Sequence, residues 1–254
     1  MSKVIAVTNQ KGGVGKTTTC VNLAASLGAI KRHVLLIDLD PQSNATIGSG
    51  VTNSNLTTSL NDVLLHGVAI NEIITTTKVG YDVVPAGATL TAATTKLLQQ
   101  KQREYRLRQA LFAIRSDYDF ILIDCPPALN ILTINALVAA ESVLIPIQCE
   151  YYALEGLTGL LTTIEQLIQQ ANANLYIEGL LRTMYDGRNR LTLEVSEQLL
   201  QHFPDKVYNT VIPRNVRLAE APSYGLPALR YDKKSQGAIA YLALAGEIVR
   251  RNKL

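Results

Sequence analysis

Ten residues near the start constrain this chain more than any other stretch: Gln10-Lys11-Gly12-Gly13-Val14-Gly15-Lys16-Thr17-Thr18-Thr19. An apolar, strand-like run, Lys3-Val4-Ile5-Ala6-Val7-Thr8, precedes them, and a helical pattern over residues 16–28 follows. A glycine-rich turn between strand and helix that ends in Lys-Thr is the setting of a phosphate-binding loop. Its glycines let successive N–H groups point inward as an anion nest, and the helix N-terminus adds the positive end of its dipole. In that setting Gly12, Gly13, Val14 and Gly15 form the cradle and Lys16 reaches the β- and γ-phosphates. Thr17 is placed to ligate Mg²⁺, and Thr18 to donate to an α-phosphate. The usual spacing has a glycine where this chain has Gln10, and Lys11 is a second, additional lysine.

Beyond the loop, short Val/Ile/Leu runs alternate with helical patterns. The runs are His33–Asp38, Tyr81–Val84, Phe120–Asp124, Ser142–Ile147, Glu178–Leu181 and Lys206–Tyr208. Helical stretches fall at about 90–115, 130–140, 153–171, 191–203 and 235–251. The alternation implies an α/β fold, a doubly wound, mostly parallel sheet with helices on both faces. No linker or repeat interrupts it, so residues 1–254 read as a single domain. Gly48–Asn55, rich in Gly, Ser, Thr and Asn, reads as a mobile surface loop.

Several classes drop out. With 254 residues, 47% hydrophobic, the chain can bury a large core and is not disordered. There is no uninterrupted run of 18 apolar residues and no signal-peptide pattern. Cys20, Cys125 and Cys149 are odd in number and widely spaced, which excludes a disulfide framework or a CxxC site. These features point to a cytoplasmic protein, and Cys125 reads as a small buried hydrophobe.

Two strands end in acids. Ile37-Asp38-Leu39-Asp40-Pro41-Gln42 closes the second, and Ile121-Leu122-Ile123-Asp124-Cys125-Pro126-Pro127 closes a later one. Ligands of open α/β sheets sit at the carboxyl ends of strands, so these acids should face the phosphate loop. Phosphoryl transfer to water needs one acid to orient the nucleophile and others to hold Mg²⁺ or its water ligands. Asp124 fits the metal role, and Pro126-Pro127 stiffens a loop suited to sensing a γ-phosphate.

Lys11-Gly12-Gly13-Val14-Gly15-Lys16-Thr17-Thr18-Thr19 resembles the deviant Walker A motif of the ParA/MinD ATPases. Pro146–Leu157, Leu132–Leu137 and Val211–Gly225 look like segments of the chromosomal, Soj-type branch, so the resemblance spans essentially the whole chain. It implies an ATP hydrolase with Mg²⁺, closing as a homodimer in the ATP state. Lys11 would cross the dimer interface to the partner's nucleotide, and Asp40 would position the attacking water and join Thr17 and Asp124 at the metal, with Asp38 in support. Pro213 would lie against adenine; Arg214 stays unassigned. The resemblance further implies binding of nonspecific double-stranded DNA, a nucleoid-associated location, a ParB-type stimulator and chromosome or plasmid segregation. A MinD-like membrane-cycling ATPase, or a ParA-like ATPase positioning a non-DNA cargo, are the alternatives. The terminal stretch Tyr241–Leu254 fits a docked helix better than a membrane anchor, so no stable membrane association is expected.

Charge distribution agrees with a polyanion-binding face. Residues 1–181 carry 12 Lys and Arg against 14 Asp and Glu, and residues 182–254 carry 12 against 7. Nonspecific duplex binding requires cations that face phosphates and no base readout. Arg188 and Arg217 are the favoured DNA-binding residues, both in the basic third and matching positions the Soj-type proteins use; Lys233 and Lys234 rank second.

Overall fold

A computed structural model of the chain describes residues 2–52, 58–87 and 90–253. Seven strands form one sheet: β1 (Lys3–Val7), β2 (Val34–Asp38), β3 (Thr75–Thr76), β4 (Asp82–Val84), β5 (Phe120–Asp124), β6 (Ser142–Gln148) and β7 (Tyr176–Thr183). Their order is β3-β4-β2-β5-β1-β6-β7, parallel throughout except for the edge strand β3. The central strands β1, β2 and β5 are buried along their whole length, which is why they read as unbroken apolar runs rather than alternating ones.

Each face of the sheet has its own apolar core. On one face lie α1 (Lys16–Ala29), α9 (Val216–Glu220), α10 (Ala228–Tyr231) and α11 (Gln236–Asn252), sealed by Leu23, Leu27, Tyr208, Tyr241, Leu244 and Ile248. On the other lie α3 (Leu60–His66), α4 (Leu90–Leu97), α5 (Arg106–Leu111), α6 (Ile131–Ala139), α7 (Ala153–Gln170) and α8 (Arg190–His202). A short helix, α2 (Asn44–Gly48), follows β2. Among the described residues no helix is long and apolar enough to cross a membrane. As expected, the terminal α11 is docked, its Tyr241, Leu244, Ala245 and Ile248 all buried.

Three local expectations change. The helix over residues 90–115 is interrupted, because its apolar stripe stops at Leu97 and resumes only at Leu107; between them Gln102 takes a left-handed conformation at φ 52°. Lys206–Tyr208 runs beside β7 but makes a single bridge, Val207 with Leu180, and no strand. The ladder stops there because the next two amides turn away. Asn209 N and Thr210 N each donate to the Glu247 carboxylate on α11, at 2.9 Å. At Gly48–Asn55, Gly48 closes α2, and the buried Ser49 hydroxyl donates to Ala45 O and pairs with Tyr81 Oη. This start of the segment is packed, not a mobile loop; Asn53–Asn55 fall outside the described residues.

Glu247 thus ties the strand-like segment to the last helix. It also accepts from the Thr210 hydroxyl (2.7 Å) and from Arg251 (2.8 Å). Burial alone would push its carboxyl up, but the Thr210 and Asn209 donors and Arg251 outweigh that and hold it below the ordinary glutamate range. Its contribution to stability is therefore full above that range and is lost as pH falls through the lowered value. Removing it leaves two part-buried amides and the Thr210 hydroxyl without their acceptor. We expect Glu247→Ala to cost about 3 kcal/mol, read as a lower urea midpoint at unchanged slope. A midpoint within error of wild type would show that the anchor is dispensable.

Candidate active site and adjoining cationic face

The sheet register assembles the site. Asp124, last residue of β5, lies opposite Val7 on one side and Asp38 on the other, so the exit of β1 and two strand-end carboxylates share one edge. The chain leaving β1 turns through Gly12–Gly15 into α1. Gly13 and Gly15 have φ of 74° and 87°, a region costly for side-chain-bearing residues. A Cβ at Gly12 or Gly13 would meet nothing within 4 Å, so the loop is an open cradle. Whereas α6, α8 and α11 are capped by the side chains of Asn130, Asn189 and Ser235, α1 begins on Gly15 with no side-chain cap. Its first amides are thereby left for an anion.

Lys16 is 7% exposed, and its ammonium donates to Lys11 O at 3.1 Å. Burial pushes its pKa down, opposed by the nearby charges of Asp124 and Asp40. No carboxylate lies within ion-pair distance of it among the described residues, so its charge awaits an anionic partner. Asp124 is fully buried. One oxygen meets the Cys20 thiol at 3.5 Å, and Oδ2 has no hydrogen-bond partner. Burial first, then Asp38, raises its pKa well above the carboxylate range, and the neighbouring Thr17 hydroxyl pulls the other way. Asp38 is committed to structure: it accepts from Asp40 N, Thr46 N and the Thr46 hydroxyl, which anchors α2, and burial lifts its pKa to about 6. Asp40 accepts from Gln42 N at 3.0 Å and lines the cleft above the cradle. Cys125 is buried, as a small hydrophobe should be.

The cleft encloses about 530 Å³. Gly12, Gly13, Gly15, Lys16, Thr17, Thr18, Asp40 and Pro213 all line it. Val14, Lys11 and Asp124 do not: Val14 is buried with its carbonyl accepting from Thr183 Oγ1, the Lys11 ammonium is 2.5 Å from the Glu150 carboxylate, and Asp124 is fully buried at the end of β5, behind the lining. No group of three or more His, Cys, Asp or Glu side chains among the described residues could hold a metal alone. An orphaned carboxylate beside a threonine hydroxyl instead suits a cation that keeps most of its water and shares a phosphate.

The far wall was not legible as a site. Thr183 and Met184 at the end of β7, with Asn215, Leu218 and Tyr241, complete the cleft. Met184 has φ 47°, an unusual conformation for a non-glycine, and the Asn215 side-chain oxygen is buried without a hydrogen-bond partner among the described residues. Only the fold brings these segments together.

The same wall leads to the cationic face. Tyr185 bridges to Pro213, which sets the loop carrying Arg188 beside the segment carrying Arg214 and Arg217. Arg217 Nε reaches Asp232 at 3.5 Å, drawing in the stretch with Lys233 and Lys234. Arg188, Arg217, Lys233 and Lys234 are all exposed on these joined segments.

Comparison with known proteins agrees with this geometry. A family described as an AAA domain matches residues 2–177. The sporulation initiation inhibitor protein Soj of Bacillus subtilis is 52% identical over 249 residues, covering 98% of each chain. The chromosome partitioning protein ParA of Caulobacter vibrioides is 50% identical over 254 residues, covering 99% of this chain and 95% of that one. The crystal structure of cobyrinic acid a,c-diamide synthase from Mycobacterium smegmatis with bound ATP analogue and magnesium has a TM-score of 0.87 at 37% identity, covering 100% and 96%. A P-loop site on a mostly parallel sheet, matched along its full length by these relatives, places the chain in the Soj/ParA family of chromosome-partitioning ATPases.

Proposed function

We propose that the chain acts as one domain, residues 1–254, that hydrolyses Mg-ATP, closes as a homodimer in the ATP state and then binds duplex DNA without sequence preference. It would drive chromosome or plasmid segregation from the nucleoid with a ParB-type stimulator. The observation that carries this reading is that one short helix, α9, serves both surfaces. Leu218 and Ala219 line the cleft, while Arg217, the residue before them, stands on the cationic face.

In this reading the cradle amides of Gly12–Gly15 and the head of α1 take the phosphates, with Thr18 at the α-phosphate. Lys16, buried and short of an anion, neutralises the β- and γ-phosphates. Thr17 and Asp124 hold the metal, with Asp40 close by. When bound, Mg²⁺ neutralises charge on the terminal phosphates. Asp40 orients water for attack. Lys11, drawn to Glu150 rather than into its own cleft, is left to act on the partner's nucleotide. Pro213 covers the base, and the unpartnered Asn215 oxygen can accept from the exocyclic amino group that distinguishes adenine from a 6-oxo purine.

Removing the water-orienting acid separates binding from turnover. Asp40→Ala is expected to keep ATP-dependent dimerisation and DNA binding while hydrolysis falls about 100-fold or more. Loss of ATP binding would refute the role given to Asp40.

On the cationic face, Arg217→Glu should weaken binding to a sequence-random duplex at least about tenfold while light scattering still shows the ATP dimer. Unchanged affinity would remove Arg217 from that face. Wild-type binding should require ATP and weaken steeply across a salt series; binding indifferent to nucleotide would overturn the coupling.

A further inference from the structure

Arg188 and Arg217 of the cationic face are not free cations. Arg188 holds Asp186 with two parallel bonds, Nε to Oδ1 and Nη2 to Oδ2, both 2.9 Å. Arg217 lies between two carboxylates, Glu220 at 2.7 Å and Asp232 at 3.5 Å. Arg190, next to the Arg188 loop, pairs with Glu194 at 2.8 Å. Among the described residues, no carboxylate stands within ion-pair distance of Lys233 or Lys234. The two geometrically best phosphate ligands are thus the ones already neutralised.

We propose that Asp186, Glu220 and Asp232 are built-in competitors of DNA phosphate that hold the affinity of a single, nucleotide-free chain low and so make binding depend on pairing of two chains. This rests on the DNA-binding reading above. A phosphate that takes Arg188 or Arg217 must either displace a carboxylate from the Nε edge or bind the remaining N–H groups beside that carboxylate's charge, so the net gain per contact is small. The bidentate geometry that suits Arg188 to phosphate equally suits it to Asp186. The Arg188 guanidinium and amide hold the Asp186 carboxyl below the ordinary carboxylate range. Weak contacts become effective binding only when several are linked in one body, and dimer closure on ATP would do that by doubling the face. Fully exposed, uncompensated arginines would instead let each separate chain cling to DNA whatever nucleotide it holds.

Amide substitutions remove the charge and spare the local fold. Asp186 Oδ1 accepts from Arg188 N and Asp232 Oδ1 from Lys234 N, and Glu220 Oε2 is 3.4 Å from the Tyr231 hydroxyl. Asn or Gln retains an oxygen for each of these bonds. Affinity for a labelled, sequence-random duplex would be measured without nucleotide, with ADP and with ATP, across a salt series. It would be done for Asp186→Asn, Glu220→Gln and Asp232→Asn, singly and combined, each checked by thermal melting. Every single change should tighten nucleotide-free binding about two- to fivefold. The triple variant should gain about tenfold or more, show a steeper salt dependence and lose much of its preference for ATP. Affinities and slopes within twofold of wild type would overturn the proposal. So would an equal gain from Glu165→Gln on the exposed side of α7, which changes net charge away from this face. If the triple variant does not fold, the single changes decide. Should ATP-loaded Asp40→Ala fail to bind DNA at all, the underlying functional reading fails. Should it bind, and Arg217→Glu abolish that binding while the neutralised variants behave as wild type, only the present proposal fails.

Discussion

A lysine ammonium buried without a counter-ion organises this molecule. Taking such a charge out of water costs several kcal/mol unless a partner is found close at hand. Lys16 has a carbonyl, that of Lys11, and two carboxylates near enough to be felt but not to pair. Asp124 shows the reverse deficit, a buried carboxylate with an oxygen that has no hydrogen-bond partner among the described residues. Moving the two together would close the space between them. Kept apart, the ammonium that lines the cleft and the carboxylate buried behind it favour an anion at the loop and a hydrated cation beside it, the two halves of a metal–polyphosphate. The parallel register of β1, β2 and β5 maintains that separation, because those strands are held from both faces of the sheet and cannot shift without exposing two cores.

Much of this was legible in the residues because it is local. The loop, its strand and its helix are contiguous, and a nest of amides requires glycines where a left-handed backbone occurs, as at Gly13 and Gly15. The strand-end acids could likewise be read from apolar runs that stop at an Asp. Local reasoning could not tell that Asp38 would be consumed by Thr46, while Asp124 would be left unsatisfied. That difference depends on where α2 packs. Nor could it reveal the far wall of the cleft. Thr183, Met184, Asn215 and Tyr241 belong to three separate segments, and each is unremarkable in its own sequence neighbourhood. Lys206–Tyr208 carries the pattern of a strand, yet a carboxylate some forty residues later on α11 diverts the two amides that would have continued it.

That diversion has a functional consequence. Because Asn209 and Thr210 are turned onto Glu247, the chain beyond them bends back to set Ile212 under β7 and Pro213 beside Tyr185. The base-side wall of the cleft is therefore held from two sides, by the last helix through Glu247 and by the end of β7, where Ile212 N donates to Arg182 O and Tyr185 N to Ile212 O. Tyr241 of that helix also lines the cleft, and its hydroxyl pairs with Thr19 of α1 at 3.1 Å. The C-terminal third is thus more than a basic appendage to a nucleotide-binding core, since it supplies one wall of the core's own site.

Under the proposed function, sharing a wall would give nucleotide and DNA a common mechanical element. A ligand can shift an equilibrium only by the difference in its affinity for the two states. In this chain α9 offers such a difference over a few residues, with Leu218 and Ala219 facing the cleft and Arg217 facing outward between Glu220 and Asp232. A small rotation of so short a helix would change the packing of the first pair and the ion-pair distances of the second together. Neither surface needs a long relay through the sheet, and the sheet, packed on both sides, is poorly suited to be one. The strands that position Asp124 and the short helix that carries Arg217 and Leu218 therefore belong to different parts of the fold, a parallel centre packed on both faces and a peripheral wall pinned to it at β7 and at Glu247.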